Sequence, residues 1–204
     1  MTMWRALPAL VALVACGGTH NDAKTAKASK YPGVLQYYPF ESGMQWSYMV
    51  HGPPGAPGLL KVDKVVAFDG QTAIVQSGDA SLTYRVAKEA IYREPAHIAL
   101  LKWPVILGDK WPGARGSSIE VTKVDAKITV EAGTFEGCVE MTERVGGDAA
   151  GLLRTTFCPD VGPVIVEIHE LNAPPGEMAA HLVGRLRAFG MPVSFPENGS
   201  EKGK

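Results

Sequence analysis

Three cysteines and five histidines have the widest chemical reach in this chain of 204 residues. Cys138 and Cys158 flank Gly146-Gly147-Asp148-Ala149-Ala150, a run of turn formers between two strand-like stretches, 135–145 and 152–158. A hairpin centred on Asp148 sets residues equally far from that centre opposite one another, and both cysteines are ten residues away from it. Opposed Cα atoms in an antiparallel pair lie about 4.5 or 5.5 Å apart, within the roughly 4.4–6.8 Å that a disulfide spans. The register therefore permits a Cys138–Cys158 bridge; the alternative is two buried free thiols. The same register sets Val139 against Phe157 and Met141 against Thr155 on one face. The cysteines share the other face with Glu140, Thr142, Arg154 and Thr156, predicted to be the more polar side. Glu143 opposite Leu153 breaks this scheme.

The histidines point to no metal chemistry. His20, His51, His97, His169 and His181 show no ligand spacing such as His-x-x-x-His, and none adjoins a paired cysteine. His169 reads as a surface residue and His20 as part of a solvated segment. There is no Gly-x-Ser-x-Gly elbow and no glycine loop suited to phosphate, and Gly113-Ala114-Arg115-Gly116 reads as a turn. The expectation is a protein that is not an enzyme, with no catalytic residue, metal ligand or cofactor. A hydrolase would need a nucleophile and a histidine brought together from distant segments.

The first 18 residues carry the most specific signal. Arg5 precedes an apolar run from Ala6 to Ala15, closed by Leu13-Val14-Ala15-Cys16. A positive charge, a short apolar core and small residues before a boundary mark an export signal. The run is shorter than the roughly 20 residues needed to span a bilayer. Leu13-Val14-Ala15-Cys16 resembles the lipobox of bacterial lipoproteins at all four positions. The resemblance implies that residues 1–15 are removed, that Cys16 carries a diacylglycerol and a fatty acyl group such as palmitate, and that the membrane is a partner through this lipid. In that family an aspartate after the cysteine tends to retain the protein at the inner membrane. Gly17 stands there, which implies the outer membrane, facing the periplasm or the cell surface. An exported chain meets an oxidising compartment, which also favours the Cys138–Cys158 disulfide.

Residues 16–36 begin with small and polar types and are expected to be a flexible tether. A single domain is expected over 37–190, with a disordered polar tail over 191–204. Without the signal the chain holds 19 basic and 21 acidic side chains, a net charge of −2. That balance argues against nucleic acid as a partner.

Gly and Pro are frequent, at 23 and 15 residues, and short alternating stretches lie between turn signals. Strands are predicted at 46–50, 59–68, 71–76, 82–86 and 90–93, with Asp69-Gly70 as a hairpin turn. Residues 98–103 fit a strand or one helical turn. Further strands are predicted at 118–124, 126–131 after a tight turn, 135–145, 152–158 and 163–171. Residues 181–189 alternate loosely, and a helix over 177–188 is the alternative, disfavoured by Gly184.

Tyr38-Pro39-Phe40-Glu41-Ser42-Gly43-Met44-Gln45-Trp46 has an ungapped echo 65 residues later, Trp103-Pro104-Val105-Ile106-Leu107-Gly108-Asp109-Lys110-Trp111. Lys61-Val62-Asp63 and Lys123-Val124-Asp125 add a weaker one. These suggest an internal repeat of about 38–100 and 103–170, the alternative being two independent Pro-Gly corners. Trp46, Trp103 and Trp111 read as core or corner residues. The expected fold is all-β: an antiparallel, strongly curved sheet, half-barrel or sandwich, built from two similar meander units.

Two functions fit these expectations. The first is a non-enzymatic, membrane-anchored binding or structural module of the cell envelope, with a protein partner. The second is a carrier of an apolar ligand, an acyl chain or a lipoprotein, in the concave face of the sheet, contacted by Phe68, Ile74, Tyr84, Val139 and Phe157. A curved sheet on a lipid tether resembles the carriers that move lipoproteins to the outer membrane, at the level of fold and without a shared motif.

Overall fold

The computed structural model describes residues 29–53, 55–145, 151–170 and 180–192. The signal and lipobox, the tether through residue 28, loop 146–150, residues 171–179 and the tail from 193 lie outside the described residues.

Alternating sequence and turn chemistry place the strands. The first six are β1 (Gln45–His51), β2 (Leu59–Phe68), β3 (Thr72–Ser77), β4 (Ala80–Val86), β5 (Ala90–Glu94) and β6 (Ile98–Lys102). The second six are β7 (Lys110–Pro112), β8 (Ser118–Val130), β9 (Gly133–Val145), β10 (Gly151–Cys158), β11 (Gly162–Glu170) and β12 (Ala180–Gly190). The helical alternatives at 98–103 and 177–188 do not form where the chain is described. Asp69-Gly70 turns β2 into β3, the Asp69 carboxylate accepting from the amides of Gln71 at 2.8 Å and Thr72 at 2.6 Å. The tight turn expected near Asp125 is instead absorbed within β8. Asp125 has a left-handed φ of 53°, and the pairing with β9 shifts register on either side of it, as at a bulge.

All twelve strands form one antiparallel sheet in the order β6-β5-β4-β3-β2-β1-β12-β11-β10-β9-β8-β7. Each strand pairs with its neighbour in sequence except β6 with β7, and the first pairs with the last. The chain is thus an up-and-down meander, strongly curved and nearly closed like a barrel, with its one break between β6 and β7. Closing a sheet removes exposed edges. Here Trp111 on β7 reaches across the break, its indole N–H donating to the Ala99 carbonyl on β6 at 2.6 Å.

The two echoed segments make the same corner. Gly43 and Gly108 have φ of 93° and 85°, a region glycine enters without Cβ strain. Gly43 N–H donates to Val65 O at 2.7 Å and Val65 N–H returns to Met44 O at 2.8 Å. Gly108 N–H donates to Val121 O at 2.9 Å and Val121 N–H returns to Asp109 O at 3.0 Å. Each corner delivers a buried tryptophan, Trp46 or Trp111, whose indole N–H reaches a distant carbonyl at 2.6 Å. Trp103, at the head of the second corner, is 37% exposed.

The fold takes in chain that was expected to be tether. Val34, within the expected tether and in a 3-10 turn over Gly33–Gln36, is buried, and so are Tyr38, Phe40 and Met44 in the expected domain that follows. This segment is held by the β10–β11 turn. The Asp160 carboxylate accepts from Ser29 Oγ at 2.6 Å and Lys30 N–H at 2.8 Å, and Asp160 N–H donates to Gln36 O at 2.7 Å. Burial of Val34 needs those anchors, and composition alone does not reveal them.

Cys138 and Cys158 are bridged, with Cα atoms 4.2 Å apart. Every described β9–β10 pair, from Val145 opposite Gly151 to Val139 opposite Phe157, follows the register centred on Asp148. The cysteine face is the polar one, but it is not open to water: Glu140, Thr142 and Thr156 are buried. Glu140 is satisfied by Lys123 Nζ at 2.9 Å and Thr122 Oγ1 at 2.8 Å. Glu143, out of pattern opposite Leu153, accepts from the Ser117 hydroxyl and from Ala114 N–H at 3.2 Å, pinning the loop between β7 and β8.

Candidate functional site

Side chains alternate across a strand, so one face of every strand looks into the curve of the sheet. On that concave face lies a cavity of about 450 Å³. Small-molecule sites usually span about 300–1,000 Å³. Its floor is aromatic. The Tyr38 ring lies 5.6 Å from Tyr84 and 5.9 Å from Phe157, with Trp46 behind it at 5.5 Å. Tyr48 completes the floor, its hydroxyl donating to Pro163 O at 2.9 Å. From this floor the walls rise through Val50 on β1, Leu153 on β10, Ile168 on β11 and Leu182 on β12. Along each of these strands the order runs towards the end where β1 joins β2, β9 joins β10 and β11 joins β12.

Three charged residues interrupt the apolar lining. Lys61 and Asp63, two apart on β2 and so on one face, form an ion pair at 2.7 Å. Lys61 also lies over the Tyr48 ring, its cross-strand partner, 5.7 Å from the centroid. The third is Arg93 on β5, opposite Tyr84 on β4.

Burial pushes the phenols of Tyr38, Tyr48 and Tyr84 above their ordinary value, well above it for the first two; Arg93 opposes the rise at Tyr84. A raised acid pKa contributes stability that is full below the unfolded value of about 10 and is lost as pH rises, because the unfolded chain releases its protons first. Each buried phenol is then expected to remove about 1.4 kcal/mol per pH unit above that point. An absorbance titration of phenolate should find these three ionising only together with loss of the folded far-ultraviolet signal. Smooth ionisation of all six tyrosines in a folded chain would contradict this burial.

Of the five residues expected on the concave face, Tyr84 and Phe157 line the cavity. Val139 is buried beside Phe157, its partner across β9 and β10, in the core next to the cavity. Phe68 packs in the core against Phe40, with ring centroids 5.8 Å apart. Ile74 is a correction. Its neighbours Ala73 and Val75 are the buried residues of β3, so Ile74 points to the convex side. The β3 run Thr-Ala-Ile-Val-Gln-Ser carries apolar residues on both faces, and the smaller Ala73 is the one turned inwards.

The sequence reading missed Tyr38, Tyr48, Lys61, Asp63, Arg93 and Gly184. Alternation alone could have found Arg93, since the predicted strands 82–86 and 90–93 are hairpin neighbours.

The described histidine side chains do not converge. His97 stacks on Tyr92 at 4.5 Å and meets Glu94 at 2.9 Å on the convex side, and His51 is exposed at the end of β1. His169 is buried rather than on the surface, 3.6 Å from Glu167. Strand alternation does put it on the outward face of β11, but that face is covered here. His20 lies outside the described residues. Among the described residues no group of three His, Cys, Asp or Glu side chains is arranged to hold a metal ion.

No protein-family model matches the sequence, and no curated protein matches it either. Two solved structures are similar in shape. A Bacteroides fragilis protein classed as exported, with a YmcC-like fold, aligns over 78% of this chain and 100% of its own at 10% identity, with a TM-score of 0.51. A Parabacteroides distasonis protein classed as a lipoprotein aligns over the same shares at 10% identity, with a TM-score of 0.45. The curved meander of this chain is therefore a fold that it has in common with the Bacteroides fragilis protein.

Proposed function

We propose that this chain is a lipid-anchored protein of the bacterial cell envelope that binds an apolar ligand in its concave cavity and catalyses no reaction. The observation that carries this reading is the cavity, aromatic at its floor and aliphatic in its walls. Of the two functions that the sequence allows, the cavity favours the apolar carrier over a module that only meets a protein partner. The lipobox-like Leu13-Val14-Ala15-Cys16 supports anchoring through Cys16, and Gly17 supports the outer membrane as the destination. The exported class of the Bacteroides fragilis protein is in keeping with an envelope location.

Gly184 offers the test. It sits on the cavity wall in β12, between β1 and β11. A glycine in a strand interior weakens the strand and often marks a close approach of another group. A Cβ there would meet Val50 Cγ2 at 3.7 Å and Val166 O at 3.9 Å, ordinary contacts. Gly184→Val is expected to fold, with the melting temperature as the check, while its two methyl groups fill part of the cavity. The full chain carrying Cys16→Ser, exported and purified without detergent, should show by native mass spectrometry a bound mass that leaves on denaturation. Gly184→Val should weaken the affinity for the ligand about tenfold, a change of about 1.4 kcal/mol, and lower the liganded fraction accordingly. A bare chain that takes up no added lipid would sink the carrier reading.

A further inference from the structure

The charges in the cavity wall do not cancel. Lys61 and Asp63 neutralise each other at 2.7 Å, whereas Arg93 enters no ion pair among the described residues. Its polar neighbour is the phenol of Tyr84, which at ordinary pH is neutral. The carboxylate next in sequence is not available to it. Glu94 points to the opposite face, where Arg85 at 3.4 Å and His97 at 2.9 Å engage it. Register fixes this arrangement: Arg93 faces Tyr84 across β4 and β5, and Tyr84 belongs to the cavity floor. A guanidinium is a planar fork of donors matched to carboxylate or phosphate oxygens. Among the described residues no carboxylate lies within ion-pair distance of Arg93, which leaves its fork open to an anionic group in the cavity. The rest of the lining, with Leu82, Leu100, Val166 and Leu182 among it, suits a hydrocarbon chain. At about 450 Å³ the space is near the small end of the usual range for ligand sites, which favours one chain over several.

We propose that the cavity takes a single-chain amphiphile with an anionic head, a carboxylate or a phosphate, its chain on the aliphatic walls and its head on Arg93. This rests on the reading that the cavity binds an apolar ligand, and the test separates the two. Hexadecanoate, hexadecyl phosphate and hexadecanol would be titrated into the Cys16→Ser full chain, with and without Arg93→Gln. Arg93 is exposed and meets the core through the Tyr84 phenol, so the substitution should leave the fold intact. At least one anion should bind about tenfold more tightly than the alcohol, the contribution of a charge-assisted hydrogen bond, and whichever binds more tightly identifies the head group. Arg93→Gln should abolish that preference by weakening the anion about tenfold, while hexadecanol, whose hydroxyl makes only a neutral contact, should lose far less. Arg93→Lys, which keeps the charge and loses the fork, should retain part of it. Equal binding of acid and alcohol, or a preference that survives Arg93→Gln, would overturn the head-group assignment and leave the cavity reading standing. Binding of none of the three would overturn both.

Discussion

Trp46→Ala is expected to be the most damaging single substitution in the described core, lowering stability by about 3–5 kcal/mol as large-to-small core changes of this size do. Trp46 is fully buried, and its indole N–H donates to Val161 O at 2.6 Å. The indole also leaves no room at Gly162, where a Cβ would come within 2.9 Å of Trp46 Nε1. Alanine removes the ring that supports Tyr38 and leaves the Val161 carbonyl without its donor. Trp46→Phe separates the two effects: it keeps much of the volume and loses the hydrogen bond, which should cost about 1–3 kcal/mol. Urea unfolding of both variants measures this directly. With marginal stabilities of about 5–15 kcal/mol, the alanine variant should be unfolded in a substantial fraction of molecules if the parent lies at the low end. A loss under about 1 kcal/mol for Trp46→Ala would mean that the floor of the cavity is not supported as described. Because the Tyr38 ring touches both Trp46 and Phe157, ligand uptake should fall with stability in the alanine variant.

Replacing both bridged cysteines, Cys138→Ala with Cys158→Ala, should cost about 3 kcal/mol, the loop-closure value for a bridge of this span. Their sequence separation is 20 residues. For a chain of this length that corresponds to a fall in melting temperature of roughly 6–12 °C. The effect should extend beyond the hairpin. Cys158 ends β10, and the turn that follows carries Asp160 and Val161, which hold Ser29, Lys30, Gln36 and Trp46. Hydrogen exchange should therefore rise in residues 29–44 as well as in β9 and β10. Both cysteines are fully buried, so a mild reductant should act on the folded protein only slowly. Fast reduction without unfolding, or an unchanged melting temperature in the double variant, would count against this account.

Much of the fold is legible in local chemistry. The β2 limits 59–68 and the Asp69-Gly70 turn follow from alternation and turn preference, and both appear as expected. The disulfide follows from a hairpin register that needs only the position of its centre. The two Pro-Gly corners were visible as an echo, and their hydrogen bonds match. Asp125 shows the limit of such reading. A residue suited to a turn can equally be absorbed as a bulge, and the long pairing of β8 with β9 decides between them. Tyr38 shows another. Its sequence context marks a corner, but its place as the cavity floor depends on a fold closed around it.

By itself the sequence determined most of the strands, though not the short β7 or the unity of β8, together with the register of the cysteine hairpin, the lipobox-like terminus and the absence of a recognisable catalytic motif. These depend on neighbours in the chain, on period-two alternation and on turns of a few residues. Only the tertiary structure decided which face of each strand is concave, and so placed Arg93, Lys61 and Gly184 in the cavity and Ile74 outside it. It also decided the pairing of β1 with β12, the docking of residues 29–44 on the β10–β11 turn, and the reach of Trp111 across the break between β6 and β7. Those contacts join residues far apart in sequence. Alternation gives a strand two faces, and only closure of the sheet tells them apart.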